Sequence, residues 1–321
     1  MKKLMISALA GAFSLAAAQA LAADEVTLQL KWVAQAQFAG YFVAKDKGFY
    51  EEEDLDVTIK PGGPDIAPEQ VIAGGGADVI VDWMGGALAA REKGVGLVNI
   101  AQPYKNAGMQ LVCPKDGPVQ TTDDFPGHTL GVWFFGNEYP FYAWMNKLGI
   151  STEGGDDGVT VLKQSFDVQP LIQGQADCIS VMTYNEYWQL IDAGYKADDL
   201  IVFNYSAMDV DLLEDGLYAM EGDLADPAFK DKMVRFVRAS MKGWEYAIAN
   251  PEEAASIVMD NGGQDENHQV RMMGEVAKLI GEPDAKLPVD AYERTAQALL
   301  DQGIIEKEPS GAWTSDITDA L

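Results

Sequence analysis

The residues best equipped for chemistry in this sequence are aromatic, amide and carboxylate side chains gathered in five short runs. They are Trp32, Gln35 and Gln37; Asp82-Trp83-Met84; Gln102; Asn137-Glu138-Tyr139; and Thr183-Tyr184-Asn185-Glu186, with Tyr41 four residues beyond the first run. Indole and phenol faces stack on flat rings, while amides and carboxylates accept hydrogen bonds from ring amino and imino groups. Taken singly, Trp83 and Tyr139 read equally well as packing residues, Asp82 as a turn former and Glu138 as a solvated acid at a helix start. Their recurrence in five runs is what points to a site. An oxyanion such as a sulfonate, nitrate or phosphate calls for a helix N-terminus free of acids and usually an arginine. Glu138 instead stands at the start of the helix entering Pro140, and none of the five runs holds an arginine.

Composition removes other classes of function. With 23 Lys and Arg against 50 Asp and Glu, the 321-residue chain carries a formal charge of −27, which repels phosphate backbones and excludes a nucleic-acid partner. The two cysteines, Cys113 and Cys178, and the two histidines, His128 and His268, are too few and too scattered for a Cys/His zinc site. No metal and no other cofactor is expected. Gly74-Gly75-Gly76 is followed by neither Lys nor Ser/Thr and precedes a strand, so it makes a poor phosphate loop.

Strand-like and helix-like segments alternate and so position the five runs. Val26–Trp32 alternates at period two as a strand, Phe38–Lys47 is a helix stopped by Gly48, Leu55–Lys60 is a strand, Pro68–Ala73 a short helix and Ala77–Val81 a strand. The pattern then restarts with strand Leu130–Phe134, helix Pro140–Leu148, strand Val159–Leu162 and helix Val168–Gln173. Gly174-Gln175-Ala176-Asp177 matches Gly75-Gly76-Ala77-Asp78, each preceding a buried strand. The plan predicted is α/β, two doubly wound lobes whose ligand lies beyond the carboxyl ends of the strands. After Val202 a helical tail follows, opened at Asp226-Pro227 and Asn250-Pro251, with Phe229, Met233, Phe236, Val237, Met241 and Trp244 as a core stripe.

Lys2 and Lys3, an Ala- and Leu-rich run to Leu21 and the small residues around Ala22 read as a secretory signal cut after Ala22. Export is therefore expected. Export would permit a Cys113–Cys178 bridge, but Cys178-Ile179-Ser180-Val181 is apolar and a buried reduced thiol is the expectation.

The segment Gln37-Phe38-Ala39-Gly40-Tyr41-Phe42-Val43-Ala44-Lys45-Asp46-Lys47-Gly48-Phe49-Tyr50, continuing through Glu51-Glu52-Glu53-Asp54-Leu55-Asp56-Val57, resembles the opening signature of periplasmic solute-binding proteins related to thiamine-pyrimidine synthase. Both Gly-x-Ala-Asp elements fit as well. The resemblance implies a periplasmic location and a type II periplasmic-binding-protein fold whose two lobes close on a solute and present it to an ABC permease in the inner membrane. Residues 23–112 and 206–321 would form the first lobe, 113–205 the second, and crossings near Leu111–Gly117 and Tyr205–Leu217 a two-crossing hinge. Members of the superfamily bind thiamine pyrimidine precursors, riboflavin, sulfonates or nitrate. In the synthase branch a lysine carries pyridoxal phosphate, a histidine precedes the first helix and a cysteine-rich segment binds iron. Here Gln37-Phe38 stands where that histidine would be, and Tyr205–Tyr218 contains no cysteine. Lys31 and Lys45 are available for an imine, yet surface or neck lysines are far commoner. The expectation is thus a monomeric binding protein, not an enzyme, whose small heteroaromatic solute is a formylated aminopyrimidine or, failing that, riboflavin.

Overall fold

A computed structural model describes residues 23–321 apart from 209, 263, 264 and 308, so the expected signal segment, 1–22, lies outside the described residues. β1 (Asp24–Gln29) and β2 (Leu55–Lys60) pair in parallel with α1 (Ala39–Asp46) between them, and α2 (Pro68–Ala73) leads to β3 (Val79–Asp82) on the other side of β1. α3 (Met84–Glu92) and β4 (Leu97–Ala101) follow. A second set comprises β5 (Met109–Pro114), β6 (Thr129–Val132), α4 (Tyr139–Leu148), β7 (Thr160–Lys163), α5 (Gln169–Ile172), β8 (Cys178–Met182), α6 (Glu186–Asp192) and β9 (Leu200–Asn204). β10 (Gly216–Met220) then opens the tail of α7 (Glu221–Leu224), α8 (Pro227–Ala249), α9 (Pro251–Asp260), α10 (Glu266–Ile280) and α11 (Val289–Asp301).

Two five-stranded sheets result, ordered β2-β1-β3-β10-β4 and β7-β6-β8-β5-β9. In each, the fourth strand is antiparallel to both neighbours, a feature the alternation of strand and helix does not foretell. Its cause is geometric. The other strands end where the two sheets face each other, whereas β5 and β10 have just crossed from the opposite sheet and start there. The chain makes these crossings at 102–108 and 205–215. The first of them corrects the expected Leu111–Gly117, because residues up to Pro114 are paired within the second sheet, and a boundary at 112/113 would cut β5 in two.

The repeated Gly-x-Ala-Asp does the same task twice. Asp78 accepts a hydrogen bond from Thr27 N at 2.8 Å, and Asp177 accepts one from Thr129 N at 2.9 Å, so each carboxylate secures the strand beside its own. In the tail, α8 lies across α1 at a glycine crossing. A Cβ at Gly243 would stand 2.0 Å from Gly40 O, and one at Gly40 would stand 2.2 Å from the Trp244 ring, so only glycine admits this approach. Of the expected stripe, Met233, Phe236, Val237, Met241 and Trp244 are buried in the core, and Phe229 at its start is partly buried against it.

Cys113 and Cys178 are bridged, contrary to the expected reduced pair. They sit one step along the antiparallel β5–β8 ladder from the Val112–Ile179 pair, with Cα atoms 4.2 Å apart. Cross-strand neighbours at that spacing are within disulfide reach.

Candidate functional site

The carboxyl ends of the strands meet in a narrow gap between the sheets, lined by Trp32, Gln35, Gln37 and Trp83 from the first and Trp133, Asn137, Met182, Tyr184 and Glu186 from the second. Lys31 lines it as well. β1 ends at Gln29 and β6 at Val132, short of the expected Trp32 and Phe134. Trp32 and Trp133 therefore sit on loops and meet edge to face, with ring centroids 6.0 Å apart.

Carboxylates fix the polar wall from behind. Asp215 accepts from Gln37 Nε2 at 2.6 Å and from Trp83 Nε1 at 3.0 Å, and Gln37 in turn accepts from Gln35 Nε2 at 2.7 Å. Asp215 belongs to the second crossing, as does Glu214, whose two oxygens each accept from Gly108 N at 3.0 Å and one of them from Met109 N at 3.2 Å. That staple joins the two crossings. Burial pushes the Glu214 carboxyl well above its usual range.

Glu186 opens α6 and is almost wholly buried. Its Oε1 accepts from Asn185 Nδ2 at 2.7 Å and its Oε2 from Met182 N at 3.0 Å. Burial outweighs these bonds and pushes its pKa up to about 7. Asn185 also donates to Gln35 Oε1 at 3.3 Å, and its Oδ1 faces His268 Nε2 at 2.8 Å, which ties α10 to the site. Burial, followed by the Arg271 charge, pulls His268 below its ordinary value, and because Asn185 Oδ1 can only accept, Nε2 donates to it.

Of the expected site residues, the structure brings together Trp32, Gln37, Trp83, Asn137, Tyr184 and Glu186. Asn185 stands directly behind Glu186. Asp82 is turned to Lys31, with Nζ to Oδ1 at 2.7 Å, because a buried carboxylate needs a counter-charge. Tyr41 is corrected to core, edge to face with Trp244, since α8 covers that side of α1. Gln102 serves the first crossing, donating to the carbonyls of Tyr104 and Glu214. Glu138 turns back to accept from Gly136 N at 2.8 Å, and Tyr139 packs beside Gly85 of α3. Trp133, Met182, Asp215 and His268 were not expected. Trp133 was read as strand, and the other three lie in no motif. Among the described residues no three His, Cys, Asp or Glu side chains converge as a metal would require, and no helix is long and apolar enough to cross a membrane.

The buried acids give the fold a pH dependence with a definite sign. Burial raises Glu69, Glu186 and Asp215 to about 7, from 4.5 for the glutamates and 3.8 for the aspartate. Between those values the folded chain holds more protons than the unfolded one, so stability falls as pH rises through the window. Thermal midpoints measured from pH 5 to pH 8 should fall, and Asp215→Asn should make the fall shallower. A midpoint rising across that range contradicts the assignment.

The chain matches the family described as NMT1/THI5 like over residues 35–254. It is 26% identical over 253 residues, 76% of this chain and 72% of the relative, to a formylaminopyrimidine-binding protein of Halalkalibacterium halodurans. It is likewise 26% identical over 241 residues, 73% of this chain and 65% of the relative, to the riboflavin-binding protein RibY of Chloroflexus aurantiacus. Among solved structures, the periplasmic aliphatic sulphonate binding protein SsuA of Escherichia coli superposes with a TM-score of 0.63 at 14% identity, covering 90% of each chain. With a family match over more than half its length and two α/β sheets around one gap, the chain belongs to the NMT1/THI5-like family and has a periplasmic-binding-protein fold.

Proposed function

We propose that the chain is the solute-binding component of an ABC importer and that it captures an aminopyrimidine of the formylaminopyrimidine type. The observation that carries this reading is the make-up of the gap. Three tryptophans and a tyrosine surround a buried acid, and Lys31, the one cation lining the gap among the described residues, is already engaged by Asp82. Stacking surfaces and an acid suit a flat nitrogen heterocycle, and an oxyanion finds no free positive partner. An aminopyrimidine edge sets amino donors beside ring nitrogens. A carboxyl held near 7 accepts from the former as a carboxylate or, when protonated, donates to the latter.

Closure of the two sheets about the stapled crossings would bury the solute, which is bound reversibly and leaves unmodified. Delivery to a membrane permease and a periplasmic location belong to the same reading, supported by the fold of the neighbours.

Calorimetric titration with formylaminopyrimidine, riboflavin and an alkanesulfonate tests it. The parent should bind the pyrimidine most tightly. Glu186→Ala should weaken that binding by about tenfold to over a hundredfold, the worth of a hydrogen bond to a charged group. No heterocycle binding together with sulfonate binding that tightens in Glu186→Ala would overturn the ligand assignment. Release of a chemically altered pyrimidine would overturn the reading as a binding protein.

A further inference from the structure

Four observations meet at the Lys31 side of the gap. Lys31 is 2% exposed; its ammonium donates to Asp82 Oδ1 at 2.7 Å within the first sheet's unit and to the Phe135 carbonyl of the second at 2.7 Å. The Asp82 half is set in advance, because Trp83 N also donates to Asp82 Oδ1 at 2.8 Å. The Phe135 half is also set, and at a cost. Phe135 has φ +60° and Gly136 φ +93°, a left-handed turn that a bulky aromatic residue rarely adopts, pinned by Gly136 N donating to Glu138 and Asn137 Nδ2 donating to Phe134 O, both at 2.8 Å. Beside that bond the backbones of the two units approach closely: a Cβ at Gly86 of α3 would stand 3.3 Å from Gly136 Cα, and one at Gly136 would stand 3.1 Å from Gly86 Cα.

We propose that Lys31, seated on Asp82, is the latch of the closed state and captures the Phe135 carbonyl when the two units meet at Gly86 and Gly136. The inference rests on the reading of the chain as a two-lobed solute-binding protein and adds the residue that sets how long it stays shut. Lys31 acts on the solute through the closed form, as a positioning residue. The ion pairs that run between the units, Asp65 with Lys163 at 2.8 Å and Arg271 of α10 with Asp192 of α6, have solvent-exposed carboxylates and contribute little by comparison. Facing the ammonium are Asp82, Glu69 and Glu138. Among the described residues, Asp82 Oδ2 and Glu69 Oε2 are buried without a hydrogen-bond partner. One cation thus holds down acids that would otherwise repel across the contact, which makes its hold on the carbonyl sensitive to any widening.

Two variants test the latch by different routes. Lys31→Met with Asp82→Asn removes the donor while keeping the contact neutral. Gly86→Ala leaves the pair intact and suits its helix, but adds a methyl where the units touch. Nitroxide labels on Ala73→Cys and Gln173→Cys, one on each unit, report the separation by double electron–electron resonance. The expected result is a short, closed component in the ligand-free parent that both variants shift to longer distances. Dissociation of formylaminopyrimidine should be at least about tenfold faster in both. Variants that keep the parent's distances and dissociation rate overturn the latch, as does a parent with no short component. Failure of the parent to bind formylaminopyrimidine strikes the ligand assignment alone, because the ligand-free distances still decide the latch.

Discussion

Replacing Cys113 and Cys178 together by alanine is expected to lower the unfolding free energy by about 4 kcal/mol. The bridge closes a loop of sequence separation 65, and restoring that loop's freedom to the unfolded chain accounts for about this amount in the chain-entropy model. The bridge joins β5 to β8, and β5 carries the chain out of the first crossing, so loosening it also loosens the frame of the hinge. Chemical denaturation of the oxidised parent and the double variant measures the difference. A loss below about 1 kcal/mol would show that the ladder and the buried core hold these strands without it.

The second large effect belongs to Lys31→Met on its own. It strips a buried carboxylate of its counter-charge, a change worth about 3–5 kcal/mol when one partner of a buried pair is removed. Lys31 shows how the site is balanced: burial by itself would lower its pKa, and Asp82 together with Glu69 and Glu138 more than offsets this, leaving the ammonium above its ordinary value. Adding Asp82→Asn should restore most of the loss, and the double-mutant cycle isolates the coupling. Acid should also mend the single variant. Burial already raises Asp82 and Glu69 above their usual range, and losing the lysine raises them further. The penalty is therefore full above those raised values and shrinks as pH falls towards the unfolded ones. Equal losses in the single and double variants at pH 7.5, or a deficit that grows at pH 5, would exclude this account.

Much of the architecture was legible because periodicity and punctuation speak for local elements. Leu55–Lys60 and Pro68–Ala73 match β2 and α2 to the residue, since each is bounded by strong breakers such as Pro61 or Gly74. Strand ends were less legible. Val26–Trp32 and Leu130–Phe134 keep their apolar character past the last ladder bond, and a pattern of side chains does not reveal where pairing stops. Trp133, one residue past the end of β6, therefore falls inside the expected strand. The bridge was hidden by a related misreading: with Leu111–Gly117 taken as a crossing, Cys113 had no strand to place it opposite Cys178. Asp215 and Glu214 were illegible for another reason. Their work depends on both crossings lying side by side, and nothing local in Leu212-Leu213-Glu214-Asp215 announces that.

The order of the strands also governs when each half can be finished. All five strands of the second sheet fall between Met109 and Asn204 in one unbroken stretch of chain. The first sheet has four of its strands before Ala101, yet β3 and β4 are not neighbours, and the slot between them is filled by β10 at Gly216–Met220. A chain emerging from its amino end therefore holds a complete set of strands for the later sheet while the earlier one is still split. The half that begins first is completed last, and the segment that completes it is the same one that carries Glu214 and Asp215 into place, so joining the halves and building the polar wall of the gap are one event.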